Sequence, residues 1–307
     1  MTVWKRVRGP LKFLRTSQPF NGIATFGARA FLSGLGARSE WLIKHLHRSG
    51  RVSIRLPNDR ILRLWSRGDD WVSNQVYWRG WDGYEPETTQ LFFRLAAQST
   101  VTLDVGAYVG YFSLLAAHAN PAGRVCAFEP LPAVFERLTR NVALNGLTNV
   151  ECVAAAASDF DGEADFFHIP DGLPTSSSLS AEFMHATTSH HSRVTVARLD
   201  RMLEHRDLPR VDLIKVDAET AEPSVLRGAA RILERDRPHI FCEVLADRAD
   251  GIALEKTLRP LGYRYFLLTD AGPEPRERIE GHARWLNYLF TKLTQTEISA
   301  LAGRQFA

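Results

Sequence analysis

The run Leu103-Asp104-Val105-Gly106-Ala107-Tyr108-Val109-Gly110 sets two glycines four residues apart behind an acid, where an apolar stretch gives way to a helical pattern. Glycine at such a junction lets the backbone approach a ligand with no Cβ in the way, and the free N–H groups of a helix start favour a carboxylate. The spacing is GxxxG, not the GxGxxG of dinucleotide sites. A second apolar stretch runs into Phe128-Glu129-Pro130. A carboxylate at a strand end can accept hydrogen bonds from both hydroxyls of a ribose. After a third stretch, Ala157-Ser158-Asp159 supplies a hydroxyl and an acid suited to an adenine amino group, or equally a turn before Asp161-Gly162. Asp104, Gly106, Ala107, Tyr108, Gly110, Glu129, Ser158 and Asp159 are therefore the candidate binding set for a ligand of nucleoside character, and Asp217 joins them further along.

The segment Lys215-Val216-Asp217-Ala218-Glu219-Thr220-Ala221-Glu222 brings acids to the end of a fourth apolar stretch. Lys215 and Asp217 share one face of a strand, so the ammonium can favour the ionised acid, or the two simply form a partly buried ion pair. Glu222 before Pro223 reads as a first-turn acid of a following helix, and Glu243 ends a fifth stretch facing the same crevice. His168, His185, His190 and His191 lie in a long insertion that reads as a loop over the site, with Ser176-Ser177-Ser178 after Pro170-Asp171-Gly172. No ligand spacing supports a metal, and none is assigned.

These residues need a sheet to hold them. From residue 100 apolar stretches and helical patterns alternate: 100–105, 112–118, 124–128, 132–145 with a stop at Gly146, 149–154, 211–216, 222–234, 239–245 and 253–258. Strand and helix in alternation mean a doubly wound, mostly parallel α/β sheet, whose ligands bind beyond the carboxyl ends of the strands. The last two strands, 263–268 and 285–291, have no crossover helix between them and are expected to form an antiparallel hairpin at one edge. A dinucleotide-binding sheet would continue through helical crossovers.

Ahead of this domain, expected over 84–307, the alternating runs 52–56 and 60–65 around Pro57-Asn58-Asp59 predict a hairpin and a small β-rich cap over 51–83. Trp71, Tyr77, Trp78, Trp81 and Tyr84 crowd its end, as a seam to the main domain or as an acceptor platform. Residues 1–50 form a basic helical and loop segment in which Lys5, Arg6, Arg8, Lys12, Arg15, Arg29, Arg38, Lys44 and Arg48 face only Glu40. It reads first as a solvated basic arm; the alternative is attraction to an anionic surface, since Trp4, Leu11, Phe13 and Leu14 lie among the charges. The net charge of +3 over 307 residues is too small for a dedicated nucleic-acid binder, and 45% hydrophobic residues exclude wholesale disorder. Cys126, Cys152 and Cys242 fall in apolar runs, which with the lack of a spanning segment or leader points to a reduced, soluble, cytoplasmic chain.

Asp-Val-Gly-Ala-x-x-Gly at 104–110, Ala127-Phe128-Glu129-Pro130, Asn141 to Asn145, Leu213 to Glu222 and Val225-Leu226-Arg227-Gly228-Ala229 occur in an order that resembles the FkbM family of methyltransferases over residues 84 to 291. The resemblance implies a class I methyltransferase (Rossmann-like) fold and transfer of a methyl group from S-adenosylmethionine to a hydroxyl of a sugar, polyketide or related natural product. An alcohol acceptor must lose its proton, and Asp217 and Glu219, which flank the end of the fourth strand, are the candidate general bases. Two positions depart from the family pattern: Tyr108 stands where Asn is usual, and Thr220 where Glu-Gly-Ala-Glu has glycine. The alternatives are a methyltransferase-fold binding module without activity and an NAD-dependent oxidoreductase. Acceptor and oligomeric state are not legible.

Overall fold

The chain divides between Tyr84 and Glu85 into two units. The computed structural model describes residues 18–34, 40–168, 173, 177–178, 190–204, 206, 208–245 and 251–303. The basic and apolar residues of 1–17, Arg38, His185, Ser176 and the Pro170-Asp171-Gly172 turn lie outside the described residues.

In the first unit, helices α1 (Gln18–Gly34) and α2 (Glu40–His45) precede an antiparallel hairpin of β1 (Ser49–Arg55) and β2 (Ile61–Arg67), then α3 (Trp71–Arg79). Val52, Ile54, Leu62 and Leu64 are buried and their neighbours in sequence are not, the period of a one-faced sheet. Asp59 takes φ 61 at the expected turn. Helix α3, which the aromatic cluster concealed, starts because Asp70 accepts from Ser73 N at 2.6 Å. Trp78 Nε1 donates to Leu46 O at 3.1 Å, so this ring is spent inside its own unit.

The second unit runs α4 (Pro86–Ala96), β3 (Val101–Val105), α5 (Tyr111–Ala119), β4 (Arg124–Phe128), α6 (Pro132–Leu144) and β5 (Val150–Val153). Then come β6 (Ala156–Ala157), β7 (Gly162–His168), β8 (Ser177–Ser178), β9 (His190–Ala197) and α7 (Leu199–Leu203). It continues with β10 (Leu213–Val216), α8 (Glu222–Arg227), α9 (Ala230–Asp236), β11 (His239–Glu243), α10 (Gly251–Leu258), β12 (Arg264–Thr269), β13 (Gly272–Arg276), β14 (Asn287–Thr291) and α11 (Gln295–Ala302).

Eight strands form one sheet in the order β13-β12-β14-β11-β10-β3-β4-β5. Strands β5, β4, β3, β10 and β11 are parallel, and β14 inserts antiparallel between β11 and β12. This is the class I methyltransferase sheet, and its antiparallel end departs from the continued crossovers a dinucleotide-binding domain would need. Chain order reverses between β3 and β10, so the crevice beyond their carboxyl ends is the switch point where a ligand site belongs.

Three expectations are corrected. The closing hairpin carries a third strand, β13, paired with β12 at the edge. The insertion read as a loop contributes a second sheet, β6-β9-β7-β8, in which β7 and β9 pair along seven residues from Gly162↔Val196 to His168↔His190. The single helix expected over 222–234 is two, parted at Gly228 and Ala229, and at Gly228 a Cβ would lie 1.9 Å from the Ser158 carbonyl oxygen.

Candidate functional site

Register sets the site: Asp104 faces Lys215 across β3 and β10, and the two strands end together at Val105 and Val216. Beyond β3 the chain bends sharply. Gly106 (φ 77) and Gly110 (φ 89) hold left-handed conformations, and a Cβ on Gly106 would sit 1.8 Å from Asp217 O. Ala107 N and Gly106 N both donate to Phe128 O, at 3.0 and 3.1 Å, which folds the turn over the end of β4. There Glu129 is buried, with Oε2 accepting from Tyr108 N at 3.1 Å and Oε1 from Leu131 N at 2.9 Å. Burial pushes the Glu129 carboxyl up to about 8, against the pull of those two N–H groups.

Not every candidate of the binding set opens on this crevice. Asp104 is buried, with Oδ2 accepting from Ser113 Oγ of α5 at 2.5 Å, and burial raises it to about 6. It ties strand to helix. Ser158 is buried as well, and Asp159 is engaged by Arg227 Nε at 2.8 Å, which leaves this acid partnered by a guanidinium. The histidines on β7 and β9 face one another: His168 Nε2 lies 3.1 Å from Ser192 Oγ, and its ring is 6.2 Å from that of His190.

On β10 itself the centre of the site is an ammonium. Lys215 Nζ, 1% exposed, donates to Asp217 Oδ2 at 3.0 Å, lies 3.8 Å from Glu85 Oε2 and sits 4.8 Å from the centroid of the Phe112 ring. Burial alone would depress this group, but Asp217, Glu85 and Glu243 outweigh it and hold its pKa above the ordinary lysine value. Glu243 is pushed well up by burial and by the negative charge of Asp217 and Glu219. Glu222, raised to about 7 by burial, accepts from Ala218 N at 2.9 Å and closes the loop on itself. The ion-pair reading of Lys215 and Asp217 is thus realised within a larger set: one cation, two nearby acids at Asp217 and Glu85, and a third carboxyl at Glu243.

Sequence reasoning misses Glu85 and Asn287, whose Nδ2 donates to Glu85 Oε2 at 3.1 Å. No short-range signal marks either: 130 residues separate Glu85 from Lys215, and only the sheet brings them together. The two departures from the family pattern fall on strained backbone. Tyr108 sits at φ 51, and Glu219 and Thr220 at φ 49 and 82, a region costly for any side chain and most of all for a β-branched one.

Chemically, the crevice offers an acid held by neutral donors on one side and an acid held by an ammonium on the other. A carboxylate has about four lone-pair sites. Two of those on Glu129 are taken by backbone N–H groups, and the two remaining match a vicinal diol.

A family model described as the methyltransferase FkbM domain matches residues 104–265. The chain is 29% identical over 247 residues to the AMB antimetabolite synthetase AmbE of Pseudomonas aeruginosa, covering 67% of this chain and 11% of that one. It is 33% identical over 144 residues to methyltransferase 1 of Beauveria bassiana, covering 41% of this chain and 57% of the relative. It is 26% identical over 200 residues to 31-O-demethyl-FK506 methyltransferase FkbM of Streptomyces tacrolimicus, covering 56% and 75%. The chain therefore spans only a small part of the first of these relatives and little more than half of the second.

Proposed function

The chain belongs to the FkbM methyltransferase family, and from that premise we propose that it transfers a methyl group from S-adenosylmethionine to a hydroxyl oxygen of a small natural product or sugar. The observation that carries this reading is Glu129, placed at the switch point with two acceptor sites to spare for a ribose diol. When bound, S-adenosylmethionine supplies an electrophilic methyl carbon on a sulfonium. The turn from Gly106 to Gly110 ends on Gly110, the N-cap of α5, and a carboxylate is favoured at the start of a helix. Ala107 and Tyr108 contribute backbone to that turn, and Tyr108 N fixes the Glu129 carboxylate. Asp104 braces β3 against α5. Ser158 and Asp159 are assigned the adenine side of the site; the Asp159 contact with Arg227 makes the acid the weaker of the two candidates.

An alcohol must lose its proton as the new carbon–oxygen bond forms. Asp217 is the proposed base: Lys215 holds Oδ2, and Oδ1 has no partner among the described residues, so it can accept the hydroxyl proton. Glu219 is the second candidate on the same loop. The name of the Streptomyces tacrolimicus relative, which assigns it 31-O-demethyl-FK506, supports a hydroxyl acceptor.

Calorimetric titration with S-adenosylhomocysteine, beside NAD and with a Glu129→Ala variant, tests the reading. Expected is micromolar binding of S-adenosylhomocysteine alone, weakened at least tenfold in a variant that still melts cooperatively. Binding of neither ligand would instead support a binding module without activity, and binding of NAD alone an oxidoreductase.

A further inference from the structure

Helix α1 is inverted. Along one side, Asn21, Thr25 and Arg29 recur at helical spacing, and the first two are completely buried. Asn21 Nδ2 donates to His47 O at 2.8 Å while its Oδ1 accepts from Ser49 N at 2.7 Å. Thr25 accepts from Arg48 Nη1 at 3.0 Å, and the Arg29 guanidinium stacks 5.0 Å from the Tyr77 ring centroid. This polar stripe is what fastens the helix to its unit. The opposite side carries Phe20, Ile23, Phe26 and Phe31, exposed by 52%, 73%, 72% and 68%. At about 100° per residue the four lie within an arc of about 140° centred opposite the buried stripe. A helix of a soluble domain turns its apolar face inward; here the polar face is inside and the apolar one looks out.

The sequence on either side of this helix carries charge of one sign. Residues 1–39 contain Lys5, Arg6, Arg8, Lys12, Arg15, Arg29 and Arg38 and no acid, the first being Glu40. An apolar helical face in a segment of uniform positive charge complements a surface that is apolar beneath and anionic at its rim, which is an acidic phospholipid bilayer. No helix of the described residues is long and apolar enough to cross a membrane, so α1 would lie in the headgroup plane. We propose that α1 docks the protein on anionic membranes, with Phe20, Ile23, Phe26 and Phe31 sunk into the acyl boundary and the basic segment over the headgroups.

The test is flotation of the full-length protein with vesicles of phosphatidylcholine alone or with one third phosphatidylglycerol, at low and high salt, using an Ile23→Asp/Phe26→Asp double variant. Both substituted side chains are exposed, so the variant is expected to keep its thermal melting profile. Expected is flotation with the anionic vesicles only, reduced by salt and at least tenfold by the double substitution. Equal flotation with neutral vesicles, or none with either, overturns the proposal. So does a wild-type dimer in lipid-free solution that the double variant converts to a monomer, since a second copy would then cover the face.

Discussion

The turn that follows β3 and the turn that follows β10 meet in one crevice and are built on opposite rules. The first takes most of its left-handed backbone from glycine, Gly106 and Gly110, and secures its acid, Glu129, with two backbone N–H groups and no cation. The second takes its left-handed backbone at Glu219 and Thr220 and secures its acid, Asp217, with a buried ammonium. The first turn holds one non-glycine residue, Tyr108, in left-handed backbone and its acid leans towards the neutral form; the second holds two and its acid is charge-paired. Under the proposed function the first acid receives the ribose diol and the second acts as base, and each can be removed separately.

Lys215→Met is expected to act most strongly. Removing one partner of a buried ion pair costs about 3–5 kcal/mol, because the remaining charge is left uncompensated. Here Asp217 and Glu85 lose their cation beside Glu243. Urea unfolding at pH 7 should therefore show a loss of about 3–5 kcal/mol. A loss below about 1 kcal/mol would mean that the ammonium serves packing against Phe112 and not the acids.

The Glu129 side should answer to pH through binding. Its carboxyl is raised from 4.5 to about 8, so near neutrality the free protein holds a proton there that a ribose diol, a pair of donors, must displace. The affinity for S-adenosylhomocysteine should climb by up to about tenfold per pH unit from pH 6 and level off above pH 8. A Glu129→Gln variant should bind weakly and without that slope. A flat profile in the wild type would remove the diol assignment while leaving the family membership untouched.

Much of this was legible in the sequence because its causes are local. Continuous apolar runs marked β3, β4, β10 and β11 as buried parallel strands, and glycine and acid marked their ends. What escaped notice has distant or contrary causes. Strand β13 reads Gly-Pro-Glu-Pro-Arg and survives because it is an edge strand, where a proline without an N–H is tolerated. The glycine between α8 and α9 answers to the carbonyl of Ser158, seventy residues away, which leaves no room for a Cβ. The Glu85–Lys215–Asn287 meeting exists only once β14 has inserted beside β11. Helix α1 defeats periodicity outright, since its apolar face points outward.

The smallest effect, and the sharpest test of the contrast between the turns, comes from exchanging their backbone rules. Thr220→Gly removes a β-branched side chain from φ 82, where strain costs about 1–3 kcal/mol, at an entropic cost of about 0.5–1 kcal/mol. A gain of about 1 kcal/mol in urea unfolding is expected, with S-adenosylhomocysteine affinity within threefold of wild type, because that affinity is assigned to Glu129. Gly110→Ala makes the reverse change: φ 89 is retained by a residue that disfavours it, and the new Cβ meets Leu138 Cδ1 at 2.6 Å. A flexible side chain can yield, so the expected loss is about 1–2 kcal/mol and not unfolding. If Thr220→Gly instead destabilises, the contacts of the threonine side chain outweigh its strain, and the β10 turn is as well fitted to its residues as the β3 turn is to its glycines.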